Sequence, residues 1–153
     1  MILANNKKAR YDYEILKNWE AGLVLRGYEV KAVRAQEISL KEAYVTINLN
    51  PKNKTPQAHL INCHISKYRK AGPLPDYNPT RTRKLLLHKK EIASIYGKIQ
   101  EKGLTLIPLK VYTKGTKIKV EIGLGKGKKK FDKRQTLKKR DVKRELQRKL
   151  KGH

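Results

Sequence analysis

Residues 126 to 153 carry 14 lysines and arginines against three acids, Asp132, Asp141 and Glu145. A net charge of +11 over 28 residues, with almost nothing apolar among them, leaves this segment unable to hold a fold alone. Any core must therefore be assembled from residues 1 to 125. A chain of 153 residues is about one domain's worth, so the reading is one compact domain, 1–125, followed by a basic tail, 126–153.

The charge is not confined to the tail. The whole chain carries +25, and the tail accounts for only +11 of it. A molecule this basic throughout seeks a polyanion. No run approaches the roughly 18 apolar residues of a membrane span, and the opening MILANNKKARYDY lacks the apolar core of a secretory signal. A soluble, cytoplasmic protein is expected, with no membrane partner.

Catalysis finds little support. His59, His64, His88 and His153 show no metal-ligand spacing, and Cys63, the only cysteine, allows neither an intrachain disulfide nor a cysteine-based zinc site. GLGKGK, residues 123 to 128, lacks the closing Lys-Ser/Thr and the following helix of a P-loop. It reads instead as the end of a strand and a flexible exit. No cofactor, metal or enzymatic role is expected, and Cys63 is expected to be a small buried hydrophobe.

Alternation at period two dominates residues 1 to 125. Tyr11, Tyr13 and Ile15, then Ala21, Leu23 and Leu25 beyond a turn region at 18–20, suggest a strand or hairpin. Ala43, Val45, Ile47 and Leu49 alternate, NPKNKTP turns, and His59, Ile61, Cys63 and Ile65 alternate again. Thr105 to Val111 and Ile118 to Leu124 form the clearest hairpin, about the turn TKGTK. Helices are expected at 29–35 and 88–102, the second with Ile92, Ile95, Tyr96 and Ile99 on one face and Gly103 to end it. The three prolines within 68–82 mark an exposed loop. Together these elements predict a mainly β fold: a small OB-like antiparallel β-barrel with two or three helices.

Two basic segments differ in kind. PTRTRKLLLHKK, residues 79 to 90, surrounds three leucines with Arg81, Arg83, Lys84, Lys89 and Lys90. Leucines anchored in a core would hold guanidinium groups in a fixed geometry suited to phosphates. The tail has helix grammar instead: Asp132 with Gln135 reads as a capping box, Leu137, Val142, Leu146 and Leu150 form a thin stripe, Glu145 and Lys149 pair at helical spacing, and Gly152 suits a stop. This predicts a helix that forms on a partner; the competing reading is a permanently solvated tail.

NKKARYDY (6–13), GYEVKAVRA (27–35), NPTRTRKLLLHKKEI (78–92), EKGLTLIPLKVY (101–112) and KGKKKFDKR (126–134) resemble, in order and spacing, the SmpB family of bacterial SsrA-binding proteins. The resemblance covers nearly the whole chain. It implies an RNA-binding adaptor that takes the tRNA-like domain of transfer-messenger RNA (tmRNA), aminoacylated and with elongation factor Tu, to ribosomes stalled without a stop codon, for trans-translation. On this resemblance Glu29, Arg81, Arg83, Lys84, Leu86 and His88 form the RNA-gripping surface, with His88 where some members carry asparagine. The tail is implied to be disordered when free and helical in the vacant messenger channel of the small subunit, near the decoding centre. Lys126, Gly127, Lys128, Lys129, Phe131, Asp132, Lys133, Arg134, Lys138, Arg140, Lys143 and Arg144 are its implied contacts. Gly127 would be the hinge and Phe131 a ring able to stack on a decoding base.

Two departures stand out: the connection NLNPKNKTPQAHL is longer than the compact glycine turn common in the family, and Asn78 stands where aspartate is frequent. A general ribosomal or structured-RNA-binding protein is the alternative, since its electrostatics would be the same. Trp19, Tyr11 and Tyr13 are expected in the core, leaving Tyr77 as an aromatic in an exposed loop.

Overall fold

A computed structural model describes residues 1–101, 103–128 and 130–151. Among the described residues nine strands and four α-helices run in the order β1 (Ile2–Asn5), α1 (Lys7–Asp12), β2 (Tyr13–Leu23), α2 (Gly27–Arg34), β3 (Ile38–Ser39), β4 (Tyr44–Leu49), β5 (Pro56–Ile61), β6 (His64–Ile65), β7 (Arg83–Leu86), α3 (Lys89–Ile99), β8 (Leu104–Lys114), β9 (Lys117–Gly127) and α4 (Lys130–Lys151). Seven strands form one sheet in the order β1-β8-β9-β2-β7-β5-β4, and β3 pairs with β6 apart from it. Every pairing is antiparallel. The sheet curls until β4 lies against β8, but its edge strands β1 and β4 are not bonded to each other, so the barrel stays open. The fold is mainly β, as expected. No described helix is long and apolar enough to cross a membrane.

The curl encloses one main core. Trp19, Ala21 and Leu23 of β2, Val45 and Ile47 of β4, Ala58 and Leu60 of β5, Leu85 of β7, and Ile118, Val120, Ile122 and Leu124 of β9 face into it, with Ala32 and Val33 of α2 and Ile95 of α3. Cys63 is fully buried there, and burial pushes its thiol up to about 11. Trp19 belongs to the core too, its ring flanked by the ammonium groups of Lys17 and Lys98 at 5.5 and 5.8 Å.

Residues 13–23, read as containing a turn, form one unbroken strand. The reason is a bulge. The register of β2 against β9 shifts between Ile15 and Lys17, and that of β8 against β9 shifts between Pro108 and Lys110. One extra residue moves every later side chain to the opposite face. Tyr13 and Ile15, with Ile107 and Leu109, therefore build a second small core under Ala9 of α1, on the outside of the sheet. Gly123 and Gly125 of β9 make room for it: a Cβ at either would stand 2.8 Å from the Cδ1 of Leu109 or Ile107. Gly123 and Gly125 of GLGKGK thus serve packing within a strand. Tyr11 is helical, not part of a strand.

The expected exit after residue 125 also moves. β9 continues to Gly127, paired with Tyr13, and Lys128 donates from its backbone N–H to Asp12 O (2.9 Å) and from Nζ to Arg10 O (2.9 Å). Gly127, the expected hinge, is the last residue of β9. The tail is a single helix from Lys130, so Asp132 occupies its first turn and does not cap it. Lys129 and Gly152 lie outside the described residues, as do the side chains of Phe131, Asp132 and Lys133.

Candidate nucleic-acid interface

β7 is short, and period two divides it cleanly: Arg83 and Leu85 point inward, while Lys84 and Leu86 point outward. Leu86 is 55% exposed, an unusual place for a leucine on a central strand. Beside it lies Gly22 of β2, where a Cβ would come within 3.3 Å of the Leu86 Cβ. Lys119 of β9 and His88 line the same depression as Leu86. Lys84, Leu86 and His88 are therefore brought together on one outward surface, all exposed.

Arg83 is not on that surface. It and Glu29 are both fully buried, and the pair forms a lock between α2, β7 and the 68–82 loop. Glu29 Oε2 accepts from Arg83 Nε at 2.8 Å and stands 2.7 Å from Nη2. Arg83 Nη1 donates to Cys63 O (2.6 Å), and Nη2 donates to Pro79 O (3.0 Å) and the Tyr77 hydroxyl (3.4 Å). The other Glu29 oxygen accepts from the Arg26 amide (2.9 Å) at the start of α2 and from Arg81 Nη2 (2.5 Å). Burial opposes ionisation of Glu29, but the donors from Arg81, the Arg26 amide and Arg83 outweigh it and hold the carboxyl below its ordinary value.

This corrects the expectation that Arg83 and Glu29 meet RNA with their own side chains. A guanidinium so enclosed has no donor to offer a phosphate. Arg81 is the intermediate case: its side chain is 27% exposed and tied to Glu29. Tyr77 is likewise no free loop aromatic, since its hydroxyl donates to Ile65 O (2.6 Å) and its ring meets Tyr28 edge-on at 5.3 Å. Asn78 makes a local turn, its Oδ1 accepting from Thr80 N (3.0 Å) and Thr80 Oγ1 (3.1 Å).

Sequence reasoning missed the neighbours supplied by the other strands. Glu20, outward on β2, accepts from the Tyr112 hydroxyl at 2.5 Å and pairs with Lys114 at 3.3 Å. These partners, Tyr112 foremost, hold its carboxyl below the usual range. Lys119 extends the outward row next to Leu86. Its alternation with Ile118 and Val120 is visible in the sequence, but its position beside residue 86 depends on β2 lying between β7 and β9.

Along α4, Arg134, Lys138, Lys139, Lys143 and Arg144 are exposed, and so are Leu137, Val142 and Leu146. Arg140 alone of the implied tail contacts in this helix has a described tie to the body, with Nη2 donating to Lys7 O at 3.4 Å and its guanidinium 5.9 Å from the Tyr11 ring centre. No group of acids, histidines or cysteines that could hold a metal ion occurs among the described residues.

The family model described as SmpB protein matches residues 3–152. An SsrA-binding protein of Halalkalibacterium halodurans is 49% identical over 150 residues, covering 98% of this chain and 93% of its own. One from Sulfurihydrogenibium is 49% identical over 151 residues, covering 99% and 95%. A chain in a solved structure described as "tmRNA-SmpB: a journey to the center of the bacterial ribosome" is similar with a TM-score of 0.63 and 41% identity, over 82% of this chain and 84% of that one.

Proposed function

The chain belongs to the SmpB family, and from that premise we propose that it binds the tRNA-like domain of tmRNA and brings it to stalled ribosomes for trans-translation. The observation that carries the reading to residues is the outward row Lys84, Leu86 and His88, set beside Arg81 on a backbone that the buried Glu29 and Arg83 hold in place. Lys84 and Arg81 supply charge to phosphates; Leu86 and His88 supply an apolar and a hydrogen-bonding contact to whatever lies between them. Glu29 and Arg83 act as positioning residues.

The basic helix α4 enters the vacant messenger channel of the small subunit, where its lysines and arginines face ribosomal RNA. Lys126 and Lys128 lie at its root, Lys128 pinned to the end of α1, so the tail leaves the body in a set direction. Such a chain is an adaptor and not a catalyst. It works in the bacterial cytoplasm, and elongation factor Tu joins it through the aminoacylated RNA.

The experiment compares the full chain with one in which residues 136–150 are scrambled at constant composition. Both should prefer the tRNA-like part of tmRNA over an elongator tRNA at one fixed salt concentration, and only the unscrambled chain should support peptide tagging on stalled ribosomes. Normal tagging by the scrambled chain removes the tail's role. Loss of preference in both chains removes the tmRNA reading and leaves a general RNA binder.

A further inference from the structure

A groove of about 480 Å³ runs between the 50–55 connection, the outward face of β7 and the first turns of α3. Its volume falls in the range of roughly 300 to 1,000 Å³ that holds a small organic ligand. Asn53, Gln57, Lys84, Leu86, Lys89 and Ile92 line it, and no acid is among its described lining residues. The neighbouring depression by His88 differs, since Glu20 and Glu91 line that one. Lysines without acids select an anion.

The rest of the lining narrows which anion. Leu86 and Ile92 provide an aliphatic surface that inorganic phosphate would leave unused, whereas the flat face of a base would cover it. Gln57 carries both a donor and an acceptor, the pairing that reads base edges, while Asn53, whose Oδ1 already accepts from the Thr55 amide and hydroxyl, offers its amide N–H donors. The connection holding Asn53 is built and not loose: Asn50 N donates to Thr55 O and Lys54 N to Asn50 O, both at 2.8 Å. Asn53 Oδ1 accepts from the Thr55 hydroxyl at 2.7 Å, which directs the amide of that side chain. The connection itself is short, residues 50–55 between β4 and β5, since most of the stretch read as a long turn is strand, and it forms one wall of the groove.

We infer that this groove takes one unstacked nucleotide of the bound tmRNA, its base against Leu86 and Ile92 and its phosphate between Lys84 and Lys89. The site rests on the tmRNA reading above and continues that surface, sharing Lys84 and Leu86 with it.

The test uses the full chain and the tRNA-like part of tmRNA. Ala93, exposed on α3 and lining the groove, is changed in Ala93→Trp to fill it; Gln57→Glu places a charge in it without filling it. Affinity is measured alongside chemical probing of every unpaired base in the complex. Each variant is expected to lose about tenfold in affinity, and a single base, protected in the wild-type complex, should become reactive in both. Wild-type affinity in both variants, or weaker binding with no such single-base change, overturns the groove. Failure of the wild-type chain to prefer this RNA over an elongator tRNA overturns the tmRNA reading itself, before the variants are compared.

Discussion

Arg83 and Arg140 carry the same charged group and do opposite things with it. Arg83 spends its donors on Glu29, two carbonyls and a tyrosine hydroxyl, at no exposure to solvent. Arg140 has one long bond to Lys7 O and a ring 5.9 Å away, on a helix whose Leu137, Val142 and Leu146 face outward. The first is part of the body's architecture; the second leaves a cation on a surface that buries little. Basic residues in this chain are therefore of two classes, and composition does not separate them.

Removing the buried arginine should have the largest effect. Arg83→Ala leaves Glu29 Oε2 buried without a partner, with Arg81 and the Arg26 amide still on Oε1, and should destabilise the protein by about 3 kcal/mol, measured by denaturant unfolding. If Glu29→Leu combined with Arg83→Met restores much of that loss, the cost lay in the stranded charge. RNA affinity measured on Arg83→Ala alone would confuse unfolding with lost contact, whereas Lys84→Ala should lower the salt slope of RNA binding by about one unit while leaving stability alone.

Next in size is the glycine stripe. Gly123→Ala drives a Cβ to 2.8 Å from Leu109 Cδ1, and overpacking of this kind costs about 1 to 3 kcal/mol. Wild-type stability in that variant would mean that the small core under α1 is loose enough to yield.

Acid sharpens the comparison further. The Glu29 carboxyl titrates below its ordinary 4.5 in the folded chain, so its stabilising share is complete above that pH and is lost as pH falls through the lower folded value. Unfolding free energy followed from pH 6 downward should fall less steeply in Glu29→Gln than in the wild type. Equal slopes would mean that other carboxylates carry the acid sensitivity.

The smallest effect is expected at Arg140→Ala. An exposed cation–π contact with one long hydrogen bond is worth at most about 1 kcal/mol, so the unfolding midpoint of the body should barely move. A large shift would show the tail helix to be part of the folded body after all.

Much of this arrangement was legible along the chain. The hairpin β8–β9 follows from alternation about TKGTK and α3 from Ile92, Ile95 and Ile99, but the run His59, Ile61, Cys63 and Ile65 does not hold as one strand: β5 buries Ala58 and Leu60 instead, and the chain turns at Asn62 before the buried Cys63. What failed to show was face. Tyr13, Ile15, Trp19 and Ala21 share one parity, yet a bulge sends the first two outside and the last two inside. A local pattern carries no mark of a one-residue slip whose cause is the partner strand.

Arg83 failed for a related reason. In PTRTRKLLLHKK it is one of five cations, and nothing nearby says that α2, about 50 residues earlier, will bring it a carboxylate. The charge, the strand-rich class, the apolar positions and a tail that cannot make a core are written in the chain, because each depends on composition or on period over a few residues. Which cations are spent inside and which remain for RNA is settled by the folded arrangement. That choice depends on desolvation and on partners distant in sequence, and both come into being only when the sheet curls.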